Sequence, residues 1–293
     1  MAVPSTPGPL IRRAHPRRTY TLTAVLSATA LAATALVAAP AASARPATPA
    51  GRGAEARPTI VLIHGAWADT SSWSGEVKAL RDQGYSARAI ANPLEGLTTD
   101  AETVAYFLKS IRGPVVLVGH SYGGSVITNA AAQTDNVKAL VYVDAAAPAV
   151  GETTGALSGS TSALNAPPET LFDNVPYPNA PEGTTNLYLK QEIFVEKFAQ
   201  DLPARQSANL WATQRAASMA AFDTPSKYAA WKTIPSWYFI STGDQIITAE
   251  SERMMARRAG SKITTFQGGS HLTLISHPAA VTEVIKAAID AVS

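Results

Sequence analysis

The stretch Val115–Gly124, which reads VVLVGHSYGG, constrains this chain more than any other. Four apolar residues, three of them valine, predict a short buried strand. Ser121 follows between Gly119 and Gly123 in the pattern G-x-S-x-G, and Ser125 to Gln133 predicts a helix. Strand, sharp turn and helix form the context in which this pattern becomes a nucleophile elbow. The turn strains the serine backbone and lifts its hydroxyl clear of the sheet. Glycine on either side leaves room where strand and helix pass closely. Without such flanks the pattern is as readily a plain Gly-Ser turn. With them, Ser121 is the candidate nucleophile.

The rest of the chain supplies a sheet for this turn to stand on. Continuous apolar runs predict buried strands at Thr59–His64, Ala139–Val143 and Trp237–Ser241, and further strands are predicted at Tyr85–Ile90 and Lys262–Phe266. Helices are predicted from a cap at Ser71 or Ser72 to about Asp82, and from Asp100 with Val104, Phe107, Leu108 and Ile111 on one face. Two more are predicted at Ala249–Arg258 and Ala279–Val292. Strands alternating with helices over short connections imply an α/β fold, a mostly parallel, doubly wound sheet covered on both faces. Such sheets bind ligands at the carboxyl ends of their strands, where His64, Ser121 and Asp144 fall. Between Gly151 and Thr185 the rhythm breaks into Gly, Ser, Thr, Pro and Asn, and Asn186 to Trp231 has a helical pattern, with Pro203 placed to open one helix. The segment of about 151–231 is expected to be a helical cap inserted over the strand ends.

The first residues read as an address and not as part of the fold. Arg12, Arg13, Arg17 and Arg18 precede an uncharged run to Ala44 that ends in Ala42-Ser43-Ala44, the layout of a cleaved secretory signal over 1–44. The Arg17-Arg18 pair also resembles a twin-arginine signal, which leaves the Sec and Tat routes both open. Pro40 and the alanine and threonine content argue against a retained membrane anchor, so no stable anchor is expected after cleavage. Residues 45–57, rich in Pro, Ala, Gly and Arg, are expected to be a disordered lead-in to a single domain over 58–293. The formal charge of +2 belongs to this leader. Without 1–44 the count is 20 basic against 22 acidic residues, a net of −2, which removes the main support for nucleic-acid binding. The chain has no cysteine, so disulfides, thiolate metal sites and a cysteine nucleophile are excluded.

A serine hydroxyl needs a base within hydrogen-bond reach. Of the five histidines, His15 lies in the leader, His64 ends the first strand, His120 sits inside the elbow with its ring expected to point away, and His277 precedes a proline. His271, in a Gly-rich turn after a late strand, is the candidate base. A carboxylate must then fix its tautomer. Asp244 ends the strand before the one that leads to His271 and fits the order Ser, Asp, His, while Asp144, at the end of the strand after the elbow, competes with it. An acyl-transfer transition state also needs donors for an oxyanion. The amide of Tyr122 is one. The loop after the first strand supplies the other, Ala66 or alternatively Trp67.

Taken together, VLIHGAW (61–67), VGHSYGG (118–124), TGDQII (242–247) and GSH (269–271) resemble the α/β-hydrolase superfamily. More narrowly, they are similar to small serine esterases related to plant methylesterases and hydroxynitrile lyases. The resemblance runs from about Pro58 to Ser293. It implies an α/β-hydrolase fold with a Ser121–His271–Asp244 triad and an oxyanion hole of the Ala66 and Tyr122 amides. The implied reaction is hydrolysis of small to medium carboxylic esters through an acyl-enzyme, with no cofactor and no metal. The partner is then a small-molecule ester and the location extracellular, with the oligomeric state open. Leu272 stands where the lyases of the group carry a lysine, which argues against lyase chemistry. A cofactor-free perhydrolase (haloperoxidase-type) activity and a non-catalytic ligand-binding role are the alternatives.

Overall fold

Strands covered on both faces give continuous apolar runs, and four such strands form the centre of a six-stranded sheet in the computed structural model, with the more exposed Ala87–Ile90 and Lys262–Phe266 at its edges. The structure describes residues 57–180 and 182–293. The expected leader 1–44 and nearly all of the lead-in therefore lie outside the described residues. The strands are β1 (Thr59–Ile63), β2 (Ala87–Ile90), β3 (Val115–Ser121), β4 (Val137–Ala145), β8 (Ser236–Ser241) and β9 (Lys262–Phe266). They run in the order β2-β1-β3-β4-β8-β9, and every pairing is parallel. β3 and β8 are buried along their whole length, which is why their sequences show no polar alternation.

The long helices are α1 (Ser74–Asp82), α2 (Leu97–Lys109), α3 (Tyr122–Ala130), α4 (Ala204–Ala212), α5 (Ala249–Arg258) and α6 (Pro278–Asp290). The step from β1 to β2 runs opposite to the steps from β2 to β3 and from β3 to β4. Right-handed crossovers then place α1 on one face and α2 and α3 on the other. Accordingly α1 packs on α6, and α2 on α3. Neither Ser71 nor Ser72 caps α1: both lie in a short 3-10 turn, Thr70–Trp73, which Asp69 caps by accepting the Ser71 amide at 2.7 Å, and α1 follows from Trp73 with no side-chain cap. α2 begins three residues ahead of the expected Asp100, at Leu97.

Between β4 and β8 the chain leaves the main sheet. Pro203 stands immediately ahead of α4, as its fixed φ favours. Asn186 does not start a helix. Instead β5 (Phe172–Val175), β6 (Asn186–Leu189) and β7 (Ala217–Ser218) form a small antiparallel sheet. Its partners are remote in sequence, so no local periodicity announces it. Trp67, in the loop after β1, is tied to this sheet. Its indole N–H donates to the Leu187 carbonyl at 2.9 Å, and its ring stacks on Phe172 and Phe222 at 5.5 and 5.2 Å.

Candidate active site

Ser121 closes β3 with φ +55 and ψ −127, a conformation that non-glycine residues rarely adopt. The helix therefore starts directly at Tyr122 and not at Ser125. The turn is possible because two side chains are missing. A Cβ on Gly119 would lie 2.5 Å from the Gly123 carbonyl oxygen, and one on Gly123 would lie 2.6 Å from that of Ile63 on β1. With those atoms absent, α3 can rise from the sheet beside β1, and the serine side chain is left at the strand end.

Two loops bring the other predicted side chains to it. His271 follows β9, and its Nε2 lies 2.7 Å from Ser121 Oγ. Its Nδ1 lies 2.6 Å from Asp244 Oδ2, in the loop after β8. Asp244 Oδ1 accepts the backbone amides of Ile246 and Ile247 at 2.7 and 3.2 Å. The result is a continuous line, Asp244–His271–Ser121, in which Nδ1–H points at the carboxylate and the unprotonated Nε2 faces the hydroxyl. Burial pushes the His271 imidazole down to about 3, which keeps it neutral at neutral pH. Burial pushes the Asp244 carboxyl up, and the two amide donors pull the other way.

Asp144 makes its hydrogen bonds to Ser241 and not to His271. It bulges out of the β3–β4 ladder, since His120 pairs with Val143 while Ser121 pairs with Ala145, and it carries φ +44. Its Oδ1 accepts the Ser241 amide at 2.7 Å and its Oδ2 lies 3.0 Å from Ser241 Oγ. Glu252, on α5, completes a group of three buried carboxyls whose ligand atoms lie within 4.8 Å of one another. Asp144 and Asp244 accept backbone N–H donors, whereas neither Glu252 oxygen has a partner among the described residues.

Ala66 is fully buried in the loop after β1, and its amide has no protein acceptor among the described residues. Tyr122 is the first residue of α3, so its amide has no intrahelical partner. Trp67, the alternative donor, has φ +56. His64 supports this loop. Its Nε2 accepts the Asn92 amide at 3.0 Å, so the proton sits on Nδ1 and is donated to the Gly65 carbonyl at 2.8 Å. Burial pushes its pKa down to about 4, keeping that tautomer neutral.

Three supports were not evident from sequence. His120 makes its ring hydrogen bond not to Ser121 but from Nε2–H to the carbonyl of His271, at 2.7 Å, and so holds the loop carrying His271. The Tyr122 hydroxyl donates to Asp100 on α2 at 2.7 Å, pinning the elbow helix. Arg215, just before β7, donates to the Asn92 carbonyl at 2.9 Å and reaches the His64 loop from the inserted segment. In each case the partner is remote in sequence.

Part of the segment between β4 and β8 packs against His271. Ser121 is 6% exposed and His271 is fully buried. Phe198 packs its ring edge on the His271 imidazole at 4.9 Å, and Trp67 packs on Phe198 at 5.9 Å. Trp67 also lines a cavity of about 240 Å³, walled on its apolar part by Leu164, Phe172, Leu187, Met219 and Phe222 and on its polar part by Ser158, Asn165, Asn174 and Asp223. Among the described residues no helix is long and apolar enough to cross a membrane.

Comparison with known proteins agrees with this architecture. Residues 60–284 match the alpha/beta hydrolase family. Esterase PIR7B of Oryza sativa subsp. japonica is 27% identical over 251 residues, spanning 76% of this chain and 91% of its own length. The alpha/beta hydrolase nvfD of Aspergillus novofumigatus is 29% identical over 254 residues, 78% of this chain and 96% of its own. Among solved structures, an extracellular alpha/beta-hydrolase from a Paenibacillus species superposes with a TM-score of 0.66 at 22% identity. It covers 79% of this chain and 98% of its own, and its likeness is one of fold.

Proposed function

The chain belongs to the alpha/beta hydrolase family, and on that premise we propose that it is a secreted serine esterase cleaving small to medium carboxylic esters. One observation carries the reading: the unbroken hydrogen-bonded line from Asp244 through His271 to Ser121, at 2.6 and 2.7 Å. Ser121 Oγ attacks the ester carbonyl carbon while His271 Nε2 takes the hydroxyl proton. Asp244 holds the tautomer and stabilises the imidazolium. The amides of Ala66 and Tyr122 donate to the oxyanion of the tetrahedral intermediate. As that intermediate collapses, the C–O bond to the alcohol breaks and His271 returns the proton to the leaving oxygen. Water then repeats the sequence on the acyl-enzyme, losing its proton to His271, and the acid departs as Ser121 regains its hydrogen.

The segment 151–231 acts in this reading as a cap, with the cavity beside Trp67 taking the apolar part of the ester. Ester cleavage is further supported by the esterase among the relatives. Export is supported by the layout of residues 1–44. The test is hydrolysis of p-nitrophenyl esters of graded acyl length, compared with Ser121→Ala. Loss of about 10³-fold or more in kcat is expected. Equal turnover in the variant would remove Ser121 from the reaction, and failure of the parent to react with a fluorophosphonate probe would favour a binding protein.

A further inference from the structure

Behind the base loop, three oxygen-to-oxygen contacts follow one another. Thr273 Oγ1 lies 2.6 Å from the Ser270 carbonyl, Ser241 Oγ lies 2.7 Å from Thr273 Oγ1, and Asp144 Oδ2 lies 3.0 Å from Ser241 Oγ. Each contact needs a proton between its two oxygens, or two lone pairs face each other at short range. The carbonyl is an acceptor only, so the Thr273 hydrogen points at it. The single Ser241 hydrogen must then serve Thr273, the shorter of its two hydroxyl contacts. Nothing on Ser241 is left for Asp144. The third contact is satisfied only when Asp144 itself supplies the hydrogen. Its other oxygen accepts the Ser241 amide at 2.7 Å, as the carbonyl of a neutral carboxylic acid does.

We infer that Asp144 is a protonated, neutral acid that acts as a positioning residue: its hydrogen starts the directed relay Asp144→Ser241→Thr273→Ser270 carbonyl, which fixes the loop carrying His271. The inference rests on His271 being the base of the esterase proposed above. It gives the bulge in β4 a purpose, because the residue left out of the β3–β4 register is the one whose carboxyl meets the Ser241 amide and hydroxyl. It also explains how three buried carboxyls coexist. Asp244 alone has the donors an anion needs, two amides and the imidazole N–H. Glu252 is fully buried with neither oxygen partnered, a state that a neutral carboxyl beside another carboxyl can occupy and an isolated anion cannot. Burial and the neighbouring Asp244 push the Asp144 carboxyl well up, in the same direction.

The relay separates two kinds of aspartate in one experiment. Asparagine at 144 keeps a donor for Ser241 Oγ and an acceptor for its amide, so Asp144→Asn should keep kcat/KM within a few-fold of the parent. Thr273→Val keeps the shape and removes the middle hydroxyl, and kcat should fall about tenfold with KM little changed. Infrared difference spectra of the folded protein at neutral pH read the proton directly. Asp144→Asn should remove one carbonyl stretch of a protonated carboxylic acid and leave the carboxylate bands unchanged. Loss of a carboxylate band instead, or a fall in kcat/KM as deep as that of Asp244→Asn, would overturn the inference. So would a Thr273→Val protein with parental kcat. The infrared measurement repeated in Ser121→Ala does not depend on turnover, so failure of the esterase reading and failure of the relay are told apart.

Discussion

His271 is buried among aromatic rings, and a buried imidazole is a useful base only if one ring nitrogen is committed to holding it in place. Asp244 takes Nδ1–H, and the His120 ring holds the backbone carbonyl of the same residue. The two supports differ in kind: the first sets the tautomer, the second only the position. Asp244→Asn should therefore leave the protein folded and lower kcat/KM by about 10²–10⁴-fold, because the amide admits the wrong tautomer. Steady-state kinetics beside circular dichroism of the same preparation would check this, and parental kinetics would remove Asp244 from the site. At this scale the sequence is readable for where residues come together: the chain order alone pairs Ser121 with His271, which the structure brings to 2.7 Å. Ser121 and His271 stand in Gly-rich turns at strand ends. The acid was ambiguous because Asp144 and Asp244 both end strands. What separates them is the bulge at Asp144 and the amides of Ile246 and Ile247, neither of which has a sequence signature.

The elements divide by whether their pairing is local. β1, β3, β4 and β8 are each buried on both faces, and each shows as a continuous apolar run that is legible without knowing its neighbour. The inserted segment is the opposite case. Asn186–Leu189 has too few residues to declare a period, and its partners begin at Phe172 and Ala217, so only the folded chain reveals the strand. Helix starts were missed for a related reason. A cap is decided by the side chain that reaches the first amides, and here Asp69 caps a 3-10 turn that takes up the nearby serines before α1 begins. The elbow is where local sequence and global packing agree most closely. Its glycines are set by backbone atoms that cannot retreat, since Gly119 faces α3 and Gly123 faces β1. Gly119→Ala should cost about 1–3 kcal/mol of stability by overpacking, read as a lower urea midpoint. Activity should fall further than stability, because the strain is relieved by moving Ser121. An unchanged midpoint would mean that α3 can shift away from the sheet.

Across the whole molecule, the site depends on a dense interior, and that interior holds a carboxyl the chemistry does not use. Glu76 lies in the first turn of α1, where an acid suits the helix N-terminus, yet it is fully buried and neither oxygen has a partner. Burial pushes its pKa from 4.5 up to about 8. The folded protein therefore holds a proton here that the unfolded chain releases once the pH exceeds about 4.5. Where the native state binds more protons, stability falls as pH rises. The loss should accumulate between about pH 4.5 and about pH 8 and level off above. It should reach a few kcal/mol, since each tenfold difference in proton affinity between the two states is worth about 1.4 kcal/mol. Glu76→Gln keeps the shape and cannot ionise. Its stability relative to the parent should thus rise steadily across that window and then stay constant. Urea unfolding of both proteins at a series of pH values gives the difference directly, cancelling the other buried carboxyls common to the two. A difference that does not vary with pH would mean that Glu76 is ionised in the fold, held by a donor that offsets its burial.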